Sequence, residues 1–204
     1  MTQVASPGRP SLREIGNEAV WSLSTAKPGN GVEQIRDDNI DTYWQSDGGQ
    51  PHLINVQFHK KMSIVEIAFY LDYNLDESYT PKKLSVRAGT TFHDLVEVQT
   101  VELNEPMGWV AVPLAAPPDP DGSGAVPGAL DEKGEPLPAD PPALLRAHFL
   151  QICVVSMHQN GRDTHIRQAK VFGPRRSMPG SLSQISAGVP EFTTVDFTQF
   201  SVLR

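Results

Sequence analysis

A single cysteine, Cys153, excludes an intrachain disulfide in this chain of 204 residues. It sits in Leu150-Gln151-Ile152-Cys153-Val154-Val155, an apolar run in which a thiol reads as a small buried hydrophobe and not as a nucleophile. No Asn-x-Ser/Thr glycosylation acceptor occurs. No stretch approaches the roughly 18 consecutive apolar residues of a membrane helix, and Met1–Pro10 carries no apolar signal core. A soluble intracellular protein is expected. Positive charge is scarce too: 17 Lys and Arg stand against 24 Asp and Glu, a formal charge of −7 with a pI of about 5.3. That balance argues against general affinity for nucleic acid or anionic membrane. Nucleophile motifs, metal-spaced histidines and Gly-rich phosphate loops are also missing. The expectation is no enzyme, no metal and no cofactor.

What the chain does have is 18 prolines and 16 glycines, clustered between short apolar runs. Leu53–Phe58 alternates with period two, Ile54, Val56 and Phe58 on one face and Asn55 and Gln57 on the other, which is a strand with one wet face. Ile64–Leu71 repeats the pattern with Val65, Ile67, Phe69 and Leu71 in phase. Glu18–Leu23, Lys83–Ala88, Leu95–Leu103, Trp109–Leu114, Leu144–Val155 and Ile166–Phe172 complete the series, with one helical turn at Val32–Arg36. Short strands at this spacing predict an antiparallel β-sandwich or jelly roll. Trp44 reads as core.

Residues 1–11 are expected to be a flexible N-terminus, 12–173 the folded domain, and 174–204 a linker and tail. Within the domain, 115–142 is dense in Pro, Gly, Asp and Ala and reads as a disordered surface insertion. Its Asp119-Pro-Asp121-Gly-Ser123 imitates the start of a calcium loop, but Leu130 stands where the bidentate Glu belongs, so calcium is rejected. The tail turns apolar again and ends on Leu203-Arg204, an end suited to capture in another protein's groove.

The most functionally loaded stretch is His158–Arg167, between the apolar runs Phe149–Val155 and Ile166–Phe172. Asn160-Gly161 permits a tight turn with positive φ. A connection needs no more than that, yet Arg162, Asp163, Thr164 and His165 add a guanidinium, a carboxylate, a hydroxyl and an imidazole. Such density suggests a recognition loop on a rigid scaffold. The plainer account is a surface pair between Arg162 and Asp163.

Val20-Trp21-Ser-Leu-Ser, Arg36-Asp-Asp-Asn, Thr42-Tyr-Trp-Gln-Ser-Asp-Gly, Gln50-Pro-His-Leu, Asp76-Glu-Ser-Tyr-Thr-Pro81 and His158-Gln-Asn-Gly-Arg-Asp-Thr-His165 occur in that order. Together they resemble the DOC-domain subunit family of the anaphase-promoting complex (cyclosome). The resemblance implies a galactose-binding-like β-sandwich jelly roll and a non-catalytic role in the ubiquitin conjugation that drives mitosis and cell division. It implies a co-receptor, shared with a WD40 coactivator, for the destruction box of substrates such as cyclins. By motif, the degron-binding residues fall on Ser78, Tyr79, Asn160, Gly161, Arg162, Asp163 and His165. Leu203 and Arg204 would dock on a tetratricopeptide-repeat subunit, with Leu where the family has Ile. Nucleus and cytoplasm are the expected compartments; neither nucleic acid nor membrane is an expected partner. The alternatives are a carbohydrate- or small-ligand-binding β-sandwich module, and an enzyme using Asp163 and His165 as an acid–base pair.

Overall fold

The computed structural model describes residues 11–115 and 144–175. The first stretch lays down β1 (Leu12–Glu14), β2 (Ala19–Leu23), the short helix α1 (Val32–Arg36), β3 (Trp44–Gln45), β4 (His52–Ile64) and β5 (Glu66–Asp72). It continues through the one-turn helix α2 (Tyr73–Asp76), β6 (Pro81–Gly89), β7 (Val96–Glu102) and β8 (Met107–Pro113). The second adds β9 (Leu145–Met157), β10 (His165–Ile166) and β11 (Gln168–Pro174).

Period-two patterning builds two antiparallel sheets, in the order β2-β4-β9-β6-β7 and β1-β11-β5-β8, and β3 pairs with β10 in a third, two-stranded one. Ile54, Val56 and Phe58 of β4 are buried, as their spacing requires, beside Leu84 and Val86 of β6 and Ile152 and Val154 of β9. Ile67, Phe69 and Leu71 of β5, Val112 of β8 and Ala169 and Val171 of β11 join the same core from the other sheet. Each large side chain so buried contributes roughly 1.5–3 kcal/mol. Strand β9 is central and buried on both faces; Gln151 donates to Asn55 Oδ1 across the β4–β9 ladder at 3.1 Å. Cys153 is buried beside it, and desolvation pushes its thiol above the ordinary range, so it is a packing residue.

The structure departs from the sequence reading in four places. Leu12–Glu14, not expected as a strand, pairs with β11. Strand β4 does not stop at Phe58 but runs on to Ile64 through a bulge between Gln57 and Met62. Val65, counted in phase with Ile67, falls between β4 and β5 and packs in a smaller outer cluster with Leu12, Ala68, Trp109 and Phe172. The polar stretch 72–81 is not irregular: Asp72 caps α2 by accepting from Leu75 N–H at 3.2 Å, and a 3-10 turn follows at Glu77–Tyr79. The insertion at 115–142 lies outside the described residues, apart from Ala115, which bridges antiparallel to Leu144.

Replacing Ile152 by Ala opens a cavity in the centre of this core and should cost about 2–5 kcal/mol. Val20→Ala, at an exposed position on an edge strand, should stay within about 0.5 kcal/mol; urea unfolding with an unchanged slope separates the two.

Candidate functional site

The expected recognition segment is not a hairpin. Strand β9 belongs to the five-stranded sheet and β11 to the four-stranded one, so residues 158–167 cross from sheet to sheet at one end of the sandwich. Positive φ falls on Gln159 (50°) and Asn160 (55°), whereas Gly161 has φ −55°. Gly161 is needed for space instead. A Cβ there would lie 1.8 Å from the Ser78 carbonyl oxygen, so the two loops can touch only through a glycine. His158 N–H donates to the Thr80 carbonyl at 2.9 Å, and Thr164 Oγ1 donates to the Tyr79 carbonyl at 3.3 Å. Ser78 and residues 158–164 thus form one continuous rim.

The other flank is fixed by residues that the sequence analysis quoted within motifs but did not assign to the site. Gln50 Nε2 donates to the Gly161 carbonyl at 3.3 Å, and His52 Nε2 donates to the next carbonyl, Arg162, at 2.7 Å. His52 is fully buried at the start of β4, and its Nδ1 has no partner among the described residues. Thr164 N–H donates to Ser46 Oγ at 2.9 Å while Ser46 N–H donates back to the Thr164 carbonyl at 3.1 Å. Consecutive backbone groups are held, with the Arg162 side chain exposed and that of Asp163 half-buried.

Beneath the rim lies an ionic group that was also missed. Asp76, 4% exposed, accepts from Arg167 Nε and Nη2 at 2.9 Å each and from His165 Nδ1 at 3.0 Å. Burial alone would raise its pKa. The His165 and Arg167 hydrogen bonds and the Arg167 charge outweigh that, and the carboxyl is held below its ordinary range. His165 is sandwiched between Tyr43 and Tyr79, with ring centroids 4.3 and 4.2 Å away. It was expected to meet a ligand directly, but the residue is 8% exposed and its free Nε2 is buried. Sandwiching rings and the Asp76 bond make it a support for Tyr79. The ionic partner of His165 is Asp76, and His165 makes no ion pair with Asp163.

Tyr79, Asn160 and Arg162 are exposed, and Ser78, Gly161 and Asp163 half-buried. The plainer account fails: Arg162 and Asp163 do not pair, and neither makes an ion pair with another described residue. Trp44 is fully buried and donates from Nε1 to the Thr25 carbonyl at 2.9 Å, as a core residue should. Leu203 and Arg204 lie outside the described residues. Among the described residues no three His, Cys, Asp or Glu side chains gather to hold a metal.

Two antiparallel sheets with a polar loop rim at one end define a galactose-binding-like jelly roll. The fold is similar to that of the family 32 CBM from Clostridium perfringens NanJ, solved in complex with galactose: TM-score 0.55 at 14% identity, covering 77% of this chain and 95% of that one. The CBM32-1 and CBM32-2 domains of Clostridium perfringens ZmpB give a TM-score of 0.58 at 11% identity, over 80% of this chain and 36% of theirs. Identities this low show the fold alone. The sequence carries further. The family described as anaphase-promoting complex, subunit 10 matches residues 2–202, and the chain belongs to that family. Curated subunit 10 relatives include those of Drosophila melanogaster, 46% identical over 95% of this chain and 85% of theirs, and of Homo sapiens, 45% identical over 95% and 89%. The Schizosaccharomyces pombe relative is 40% identical over 94% and 87%.

His52→Leu should leave the Arg162 carbonyl unmet and raise amide exchange across residues 158–164. His52→Gln, whose amide nitrogen can stand in for Nε2, should restore protection, as hydrogen–deuterium exchange will read. Asp76→Asn should destabilise the fold by about 3–5 kcal/mol at neutral pH, because Arg167 loses its buried counter-charge. A depressed folded pKa means this contribution is complete above the ordinary carboxyl value of 3.8 and fades as pH falls below it. Denaturant melts of wild type and variant should therefore converge in acid.

Proposed function

We propose that this chain is the substrate-recognition and processivity subunit of an anaphase-promoting complex, holding a destruction-box degron jointly with a WD40 coactivator. One observation carries the reading: the Ser78 loop and the 158–164 segment are joined through Gly161 into a single outward rim, with exposed Asn160 at its edge. A degron is a short disordered segment, so ordering it is costly and one receptor alone binds it weakly. Two receptors on one peptide raise the effective concentration of the second contact. The Asn160 amide donates and accepts at once, which suits a peptide backbone. Asp163, without a cationic partner in the described chain, is available to a basic substrate residue, and the outer face of Tyr79 offers an apolar surface. In this reading the chain takes no chemical step. It works in nucleus and cytoplasm, and Leu203-Arg204 clips it to a tetratricopeptide-repeat subunit.

The test is ubiquitination of a cyclin-type substrate by a reconstituted ligase under single-encounter conditions. Asn160→Ala should still join the complex but shorten substrate residence by up to about tenfold, the worth of one hydrogen bond of roughly 0.5–1.5 kcal/mol. Fewer ubiquitins per encounter should result. Removal of Leu203-Arg204 should lower incorporation into the complex instead. An Asn160→Ala ligase that remained fully processive would place the degron elsewhere.

A further inference from the structure

Strands β6 and β9 stay paired up to the rim but lose their regular register there. Their ladder is regular from Gly89↔Phe149 to Leu84↔Val154, then shifts between Leu84 and Lys83 and again between Lys83 and Pro81. Lys82 is left with no partner across that ladder, and bulges of this kind re-aim side chains beside sites. Beside this irregular stretch lies a cleft of about 460 Å³ lined by Lys82 and Lys83 of β6, Glu102 of β7, Ser156 of β9, and Gln159 and Asn160. It lies within the roughly 300–1,000 Å³ range of ligand sites. Asn160 belongs to cleft and rim alike, so the two are continuous. Lys83 Nζ faces Glu102 Oε1 at 3.6 Å, which matches one cation with one anion. Lys82 is exposed and makes no ion pair with a described residue, so the cleft keeps an unmatched positive charge in a chain of net charge −7.

We propose that this cleft takes an anionic side chain, carboxylate or phosphate, from the same substrate segment that meets Asn160. The inference rests on the reading of the rim above and names the substrate class that the rim prefers. The Lys82 ammonium supplies a mobile point charge, and the Ser156 hydroxyl and Asn160 amide supply neutral donors for the anion's oxygens. An acidic or phosphorylated residue flanking the degron then strengthens binding, and a basic one weakens it. Because Lys82 is exposed, the gain is modest, about two- to five-fold, and it falls as salt rises.

Fluorescence anisotropy of destruction-box peptides on the complete ligase with its coactivator tests this. The peptides carry Ala, Glu or phosphoserine on either flank. With the native chain, one flank should favour Glu or phosphoserine over Ala. Lys82→Ala should abolish the advantage and Lys82→Glu reverse it, with the Ala peptide unaffected by either. A gain from both anions assigns a site for carboxylate or phosphate; a gain from phosphoserine alone assigns phosphate. No advantage on either flank, or one that survives Lys82→Ala, overturns the proposal. The Ala peptide keeps the two readings apart. If Asn160→Ala leaves its affinity unchanged, the rim itself is misassigned. If Asn160→Ala weakens it while no anion helps, only the cleft falls.

Discussion

A carboxylate with 4% exposure stays ionised only where its charge is met on the spot, and the rim depends on how Asp76 meets that condition. Arg167, 91 residues away in sequence, grips it with two parallel bonds, and His165 supplies the third. That geometry is fork to fork, with little freedom to slide. It ties α2, in the turn after β5, to the crossing between β10 and β11. The same bond fixes the plane of the His165 ring, and Tyr79 lies parallel to that ring within 9°. The exposed aromatic surface of Tyr79 therefore inherits its orientation from a buried salt bridge. Arg167 also donates to the Ile40 carbonyl at 2.8 Å and sits 5.5 Å from the Tyr43 ring centroid, so a third stretch of chain joins the arrangement.

The scaffold explains why the rim can be polar at all. Strand β9 runs through the centre of the larger sheet and delivers residues 158–164 at its end, where the backbone must leave one sheet and reach the other. Between β9 and β10 the crossing has no strand ladder to satisfy its carbonyls and amides; only β10 itself pairs, with β3. Gln50, His52, Ser46 and Thr80 take that role, each from an element already fixed by the core. With the backbone groups satisfied from within, Asn160 and Arg162 carry no structural duty and remain available outward. Sugar-binding relatives of the fold show that the same architecture hosts unrelated recognition chemistries, so the argument for function lies in these side chains and in family membership.

Much of the sandwich was legible from periodicity. Ile54, Val56 and Phe58, the burial of Trp44 and Cys153, and the helical turn at Val32–Arg36 all follow from local pattern. The exposed edge of the rim was legible from motif order. The supports were not, because each links positions far apart and is polar by type. Arg167 did leave a signal. A cation inside the apolar run Ile166–Phe172 must have a partner, and Asp76 is the acid that supplies it. His52 left a fainter one, as an imidazole at the head of an alternating strand. Asn160-Gly161 misled for a physical reason. It has the chemistry of a tight turn, but its glycine is selected by the approach of Ser78 and its asparagine by the left-handed backbone.

Ala115 and Leu144 meet in a single antiparallel bridge at the foot of β9, while the rim follows that strand's far end. Thirteen residues of β9, roughly 40 Å of extended chain, separate the two. Since the closure cost of a connection grows only slowly with its length, a longer or shorter connection between Ala115 and Leu144 should cost the two sheets little. A fluorophore attached between those two positions would join the fold at the foot of β9, a strand's length from the crossing.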